Sequence, residues 1–374
     1  MRLHRLLACL PIALLLALPP AGAWDAPTAL APPVEDTGTL AAAPYRIDIP
    51  ADWNGELVML VHGFEPVGVP RASPWPANEA TPVFLSKGYA VAESGFATQG
   101  WAMRDGIDDT ERLRAHFVER HGAPRRTWLV GFSMGGSIAV ASLEQQPAQY
   151  DGALSLCGAN VPGARLAEEL FTTLVAFDAF FPGATGVPDG GLSGPAAAEL
   201  GQMDVMNAVT GALPGNPDAA ALLAKHMEVP VDAVPGIVSL HALVFNDMRR
   251  RAGGLPVDNT RTVYTGFGDN AVFNAAVPRH AGDAAAMAYA ATAPALTGQV
   301  GKPLVIQYNT GDPTIAPRLQ PLYAALVRAG GDVIAPLVLP DAGEGHCGFS
   351  PEQIGEAFRT LTQWSVTGKR PGGE

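Results

Sequence analysis

The chain has 374 residues, 48% of them hydrophobic and 16% charged, and a formal net charge of −12. That apolar share supplies the core of one large α/β domain with an insertion, or of two domains, and excludes a disordered chain. The acidic balance, with no basic cluster beyond Arg249-Arg250-Arg251, excludes nucleic acid as a partner.

The chain opens on Arg2, His4 and Arg5, followed by an apolar stretch from Leu6 to Leu18 and then Pro19-Pro20-Ala21-Gly22-Ala23. This pattern is that of a secretory signal, so residues 1–23 read as a signal peptide cleaved after Ala23 and the protein as secreted or periplasmic. The apolar stretch is shorter than the roughly 20 residues a spanning helix needs, and no later segment is longer, so no stable membrane anchor is expected. Once Cys9 leaves with the signal, Cys157 and Cys347 remain. In an oxidising compartment such a pair invites a disulfide, with two buried thiols as the alternative.

Residues 24–44 read as a loosely held N-terminal arm. From Tyr45 to Ile49 the residues alternate as in a strand, and Glu56 to Val61 is an apolar run that ends in His62-Gly63-Phe64. Pro82 to Lys87 reads as a helix stopped by Gly88, and Tyr89 to Glu93 as a strand. Asp108 to His121 is an amphipathic helix whose Leu113, Phe117 and Val118 share a face with Ile107, and Gly122 ends it.

Thr127-Trp128-Leu129-Val130 then feeds Gly131-Phe132-Ser133-Met134-Gly135, a G-x-S-x-G pentapeptide with a helical pattern behind it. A serine on so sharp a strand-to-helix turn needs flanking glycines. In return its Oγ is exposed at a helix N-terminus, beside backbone N–H groups that can receive an oxyanion. Gly136 allows the helix to pack tightly on a neighbouring strand. Ala153 to Cys157 is a further buried strand.

Residues 160–299 break this rhythm. They are rich in Ala, Gly and Pro, with helical stretches at Ala167 to Phe181 and Ala219 to His226, and read as a cap inserted late. The apolar stripe Leu170 to Phe181 reads as core, with one side available to a substrate pocket. Asp258 to Asn274 reads as loop. The α/β alternation resumes with the strand Leu304 to Tyr308, a helix near Leu319 to Ala329, the strand Val333 to Leu339 and a final helix from Pro351 to about Trp364. Residues 369–374 form a tail.

With these elements the chain resembles a secreted member of the α/β-hydrolase superfamily, over residues 45–157 and 300–366. The resemblance implies a mostly parallel, doubly wound sheet formed by residues 45–159 and 300–368, and a triad in the order serine, acid, histidine. The serine is Ser133. The acid is Asp312, in Asn309-Thr310-Gly311-Asp312-Pro313, just past a strand's carboxyl end. The base is His346, in the glycine-rich loop Gly343 to Phe349 after the last strand; Asp341 and Glu344 are alternative acids too near it in sequence to fold back comfortably. Backbone N–H groups of Phe64 and Met134 form the oxyanion hole, with Gly63, Gly131 and Gly135 permitting the turns. His62 either braces that loop or is a plain strand-end histidine.

For His346 to reach Ser133, its loop must cross above the strand that ends at Cys157, which makes Cys157 and Cys347 neighbours. Some tannases and feruloyl esterases tether the histidine loop in a related way, but their partner cysteine directly precedes the serine, where this chain has Phe132. Neither H-E-x-x-H nor C-x-x-C occurs, and no metal or organic cofactor is expected. The expected partner is a small-molecule or polymeric ester. A peptidase of the same fold and a catalytically silent binding protein are the rival readings, and the oligomeric state is left open.

Overall fold

The computed structural model describes residues 32–331 and 334–372. The signal-peptide reading, the arm up to residue 31 and the end of the tail lie outside the described residues. Eight strands make one sheet: β1 Val34–Leu40, β2 Ala43–Ile49, β3 Glu56–Val61, β4 Ala90–Ser94, β5 Arg126–Phe132, β6 Gly152–Leu156, β7 Leu304–Gln307 and β8 Leu337–Val338. Their order is β1-β2-β4-β3-β5-β6-β7-β8. The pairs β1–β2 and β2–β4 are antiparallel and every later pair is parallel.

The central strands read as unbroken apolar runs because both faces of the sheet are covered. Alternate residues divide between two cores. Leu57, Met59, Val61, Leu129 and Ile306 face one cluster, while Val58, Leu60, Trp128, Val130 and Val305 face the other. The first is closed by α2 (Met103–His121) and α3 (Met134–Gln145), the second by α1 (Thr81–Leu85) and, near the C-terminus, a long helix from Pro351 to Thr367.

Two readings change here. Residues 34–40, taken from sequence as part of a loose arm, form β1, in register from Val34 opposite Ile49 to Leu40 opposite Ala43. The strand is held by backbone pairing at the sheet edge and buries little side chain, so it leaves no apolar alternation to read. The last strand, expected over Val333 to Leu339, contains only Leu337 and Val338, paired with Val305 and Ile306.

Between β6 and β7 the chain forms α4 (Gly163–Phe180), α5 (Gln202–Ala212), α6 (Pro217–Met227), α7 (Val234–Ala252), α8 (Asn270–Ala276) and α9 (Ala284–Ala291); α10 (Pro321–Ala329) follows β7, and the C-terminal helix is α11 (Pro351–Thr367). α7 is the long helix that sequence reading passed over. Its Pro235 and Gly236 resemble a loop signal, yet proline is well tolerated in a helix's first turn. Phe171 of α4 and Phe245 of α7 stack with centroids 5.0 Å apart. Asp247 of α7 is buried and accepts from the Trp101 backbone N–H and from Arg251 Nε at 2.9 Å. Arg251 in turn donates to the Gln99 carbonyl and, at 3.0 Å, to Thr98 Oγ1. One member of the basic triplet is thereby spent fastening α7 to the segment between β4 and α2.

Asp247→Ala would leave the buried Trp101 N–H without its acceptor and remove the nearer of the two carboxylates paired with Arg251, with Asp105 remaining at 3.4 Å. It should lower unfolding stability by about 3 kcal/mol, read as a shift in the urea midpoint; a change below about 1 kcal/mol would show that the contact does not fasten the helix.

Candidate active site

Ser133 stands between β5 and α3 with φ 55° and ψ −121°, a strained conformation for a residue with a side chain. The surroundings enforce it. A Cβ on Gly131 would overlap the Gly135 carbonyl, and one on Gly135 would overlap the Val61 carbonyl at the end of β3. The Ser133 N–H donates to Leu156 at 3.1 Å, and its carbonyl accepts from Gly136 and Ala159.

The structure brings Ser133, His346 and Asp312 together. Ser133 Oγ lies 2.8 Å from His346 Nε2. On the other side of the ring, Nδ1 lies 2.9 Å and 3.1 Å from the two Asp312 carboxylate oxygens. With Nδ1 carrying the proton toward the carboxylate, Nε2 is left to accept from the serine hydroxyl. Asp312 is buried, and its Oδ1 also accepts from the N–H groups of Thr314 (2.8 Å) and Ile315 (3.2 Å). The alternative acids Asp341 and Glu344 are exposed, and neither bonds to the ring.

The histidine loop is held at several points. Cys347, next to His346, is bridged to Cys157 at the end of β6, with Cα atoms 5.2 Å apart. Asn309 is buried two residues after β7. Its Nδ2 donates to the Ala342 carbonyl at 2.8 Å and its Oδ1 accepts from the Cys347 N–H at 3.0 Å. Sequence reading quoted Asn309 only as the neighbour of the acid. An asparagine at a strand's carboxyl end, three residues before that acid, was the available signal.

Gly343, Gly345 and Gly348 also have the spacing G-x-G-x-x-G of a dinucleotide-binding turn. Here the glycines serve the loop's own close approach, since a Cβ on Gly343 would overlap the Gly348 carbonyl and one on Gly348 the Glu344 carbonyl.

Ser133 and His346 border a cavity of about 530 Å³ that is also lined by Gly63, Phe64 and Met134. Its walls are mainly apolar: Trp101 from the core, Val161, Leu166, Leu170 and Val244 from the cap side, and Ile315 and Leu319 after the acid. Met134 is the first residue of α3, where an N–H has no acceptor within the helix. Burial holds the His62 imidazole down to about 4, so it is neutral at physiological pH. Its Nδ1–H donates to the Gly63 carbonyl at 2.8 Å and its ring stacks on Phe96, which braces the turn beside Ser133.

The cap places one buried charged group at this cavity. Burial raises the Glu169 carboxyl, but bonding to His226 and the nearby Arg318 outweigh it and hold the group at about 2. Arg318 directly precedes Leu319, in the segment following Asp312, so the Glu169–Arg318 pair joins α4 to the acid loop. His241 shares the cavity wall and is kept neutral by burial, at about 4.

A sheet in this order, with a serine elbow after β5, an acid after β7 and a histidine after β8, is the α/β-hydrolase fold with a helical cap. Solved structures similar to the chain include an esterase from Pyrococcus furiosus (10% identity, 90% of this chain and 91% of that one, TM-score 0.44). A proline iminopeptidase from Mycobacterium smegmatis has 13% identity, over 90% of this chain and 100% of that one, with a TM-score of 0.43. E-2-(acetamidomethylene)succinate hydrolase has 14% identity, over 88% and 99%, with a TM-score of 0.40. The strand order and the elbow, not these likenesses, define the fold. No protein-family model matches the chain, and no curated protein does so.

Two outcomes follow from the site's supports. Glu169→Gln should destabilise the protein by about 3 kcal/mol at neutral pH, because the half-buried Arg318 loses its nearer anion and keeps only Glu228, 3.9 Å away. The native carboxyl's pKa is below its unfolded value, so the wild type's advantage is present above about pH 4.5 and is lost as pH falls toward 2. Urea midpoints across that range test it, and a pH-independent difference would refute the ion pair. Reducing the Cys157–Cys347 bridge should impair activity at temperatures below the unfolding transition, because the loop carrying His346 is freed first. Activity that falls only together with the unfolding signal would separate the bridge from the histidine.

Proposed function

We propose that the protein is an exported serine hydrolase that cleaves carboxylic esters bearing an apolar acyl group. The observation that carries this reading is the continuous chain Ser133 Oγ, His346 Nε2, His346 Nδ1 and Asp312 at the edge of an apolar cavity. Ser133 attacks the ester carbonyl carbon while His346 Nε2 takes its proton, and Asp312 stabilises the imidazolium. The N–H groups of Met134 and Phe64 receive the oxyanion. As the tetrahedral intermediate collapses, the C–O bond to the alcohol breaks and His346 returns its proton to the departing oxygen. Water then adds to the acyl-enzyme, giving its proton to His346. Expulsion of Ser133, reprotonated by the histidine, releases the carboxylic acid. Every proton is returned, and the sum is ester plus water giving acid plus alcohol.

Ester cleavage is favoured over aminopeptidase action by the state of Glu169. It is the only carboxylate lining the cavity among the described residues, and it is already neutralised by Arg318. An ammonium terminus would find no free anion there. A reading as a silent binding protein is opposed by a triad within hydrogen-bonding reach at both contacts. Export rests on the N-terminal pattern with cleavage after Ala23, and the Cys157–Cys347 bridge suits an oxidising compartment.

Ser133→Ala and His346→Ala should each lower kcat on p-nitrophenyl octanoate by at least about three orders of magnitude without moving the unfolding temperature. Asp312→Asn should lower kcat steeply with KM nearly constant. More than a few per cent of residual turnover in the serine or histidine variant would refute the triad. Faster cleavage of aminoacyl or prolyl amides than of esters would refute the substrate class.

A further inference from the structure

A second cavity, of about 560 Å³, lies on the other side of the Gly63 turn. It meets the apolar cavity along Gly63, Phe132 and Cys347, which line both. Phe132 directly precedes Ser133, Cys347 directly follows His346, and a Cβ on Gly63 would sit 3.2 Å from that of Ser133. An ester with its carbonyl carbon at Ser133 therefore has one arm in reach of each cavity.

The two cavities differ in chemistry. The second is lined by Trp75, Asn78, Glu93, His62 and Phe349. Glu93 is buried at the carboxyl end of β4, where open α/β sheets present functional groups. Its Oε1 accepts from Asn78 Nδ2 at 2.8 Å and its Oε2 from Trp75 Nε1 at 3.3 Å. Among the described residues no cation lies within ion-pair distance of it. A carboxyl offers about four acceptor sites, so each oxygen keeps one for a further donor. The half-buried Trp75 ring also lines the cavity; the Arg71 guanidinium lies over one of its faces, 5.7 Å from the centroid, so a stacking partner would take the opposite face.

From this arrangement we infer that the second cavity is the alcohol site, and that it takes a ring bearing hydroxyl donors, stacked on Trp75 and hydrogen-bonded to Glu93. The assignment rests on the ester reading and completes it: an apolar acyl arm under the cap, a hydroxylated ring beyond the Gly63 turn. Burial pushes the Glu93 carboxyl up to about 7, against the two donors that lower it, so near neutrality it both accepts from and donates to a hydroxyl. Phenolic and sugar rings share the required chemistry, an apolar face with hydroxyls at its edge.

Three octanoate esters with one acyl chain test the assignment: methyl octanoate, 4-hydroxyphenyl octanoate and glucose 6-octanoate. At least one ring ester should exceed methyl octanoate in kcat/KM by about tenfold or more, and the better ring identifies the source. Glu93→Gln should collapse that ratio through KM. Ala77→Trp, which adds bulk at an exposed position on the same cavity wall, should do likewise without disturbing the interior. Calorimetric titration of Ser133→Ala with hydroquinone and with methyl glucoside should show binding that the added Ala77→Trp change abolishes. Turnover of methyl octanoate with no ring preference, or a preference that neither variant moves, would overturn the alcohol site and leave the ester reading standing. Failure to turn over any of the three esters would overturn the ester reading and the alcohol site with it.

Discussion

The site depends on one backbone contact: the elbow's glycines seated against the end of β3. Because a Cβ at Gly135 would occupy the Val61 carbonyl's place, the first turn of α3 can press directly on the neighbouring strand. That contact holds Ser133 at positive φ and lifts its hydroxyl clear of the sheet. It also brings the Gly63 turn against the serine, so Ser133 and the Gly63-Phe64 turn are positioned by one piece of packing. A strain of order 1–3 kcal/mol at Ser133 is maintained because the two-faced core around β3, β5 and β6 leaves the segment no alternative.

The other half of the site is harder to position, since its acid and base arrive from segments 34 residues apart on the far side of the cap insertion. Two kinds of restraint do this. The Cys157–Cys347 bridge ties the histidine loop to the strand next to the serine's, while Asn309 ties it to the strand that precedes the acid. Each restraint acts on backbone adjacent to His346 rather than on its ring, which leaves the imidazole free to exchange a proton with Ser133. The Glu169–Arg318 pair extends the same logic to the cap, because it fastens α4 to the segment that carries the acid.

The divided environment around Ser133 explains why pocket shape alone says little about substrate. On the cap side the walls are apolar and the single carboxylate is already paired. Beyond the Gly63 turn a buried carboxyl, with no cation paired to it among the described residues, and an indole face the cavity. A buried carboxyl without a cation is costly to keep, and the proposed alcohol site would give that cost a use in recognition.

Much of this was legible in the sequence. The apolar runs from Glu56 to Val61 and from Trp128 to Val130 had to be central strands, because only a sheet covered on both faces accommodates them. G-x-S-x-G after such a run, with Asp312 and His346 after later ones, located the three residues that now lie within hydrogen-bonding distance. Periodicity failed where backbone pairing or tertiary contacts supply the stability. β1 is an edge strand with little buried side chain, β8 is a two-residue strand, and α7 opens on a Pro-Gly that imitates a loop. Likewise Asn309, Glu169 and Glu93 are ordinary polar residues in the text. Their roles come from partners 33, 149 and 15 residues away, respectively. The chain's local chemistry thus determined which residues are fit to react. Only the tertiary structure decided what holds them in place and what the two cavities around them admit, because those properties belong to contacts between distant segments and have no local signature.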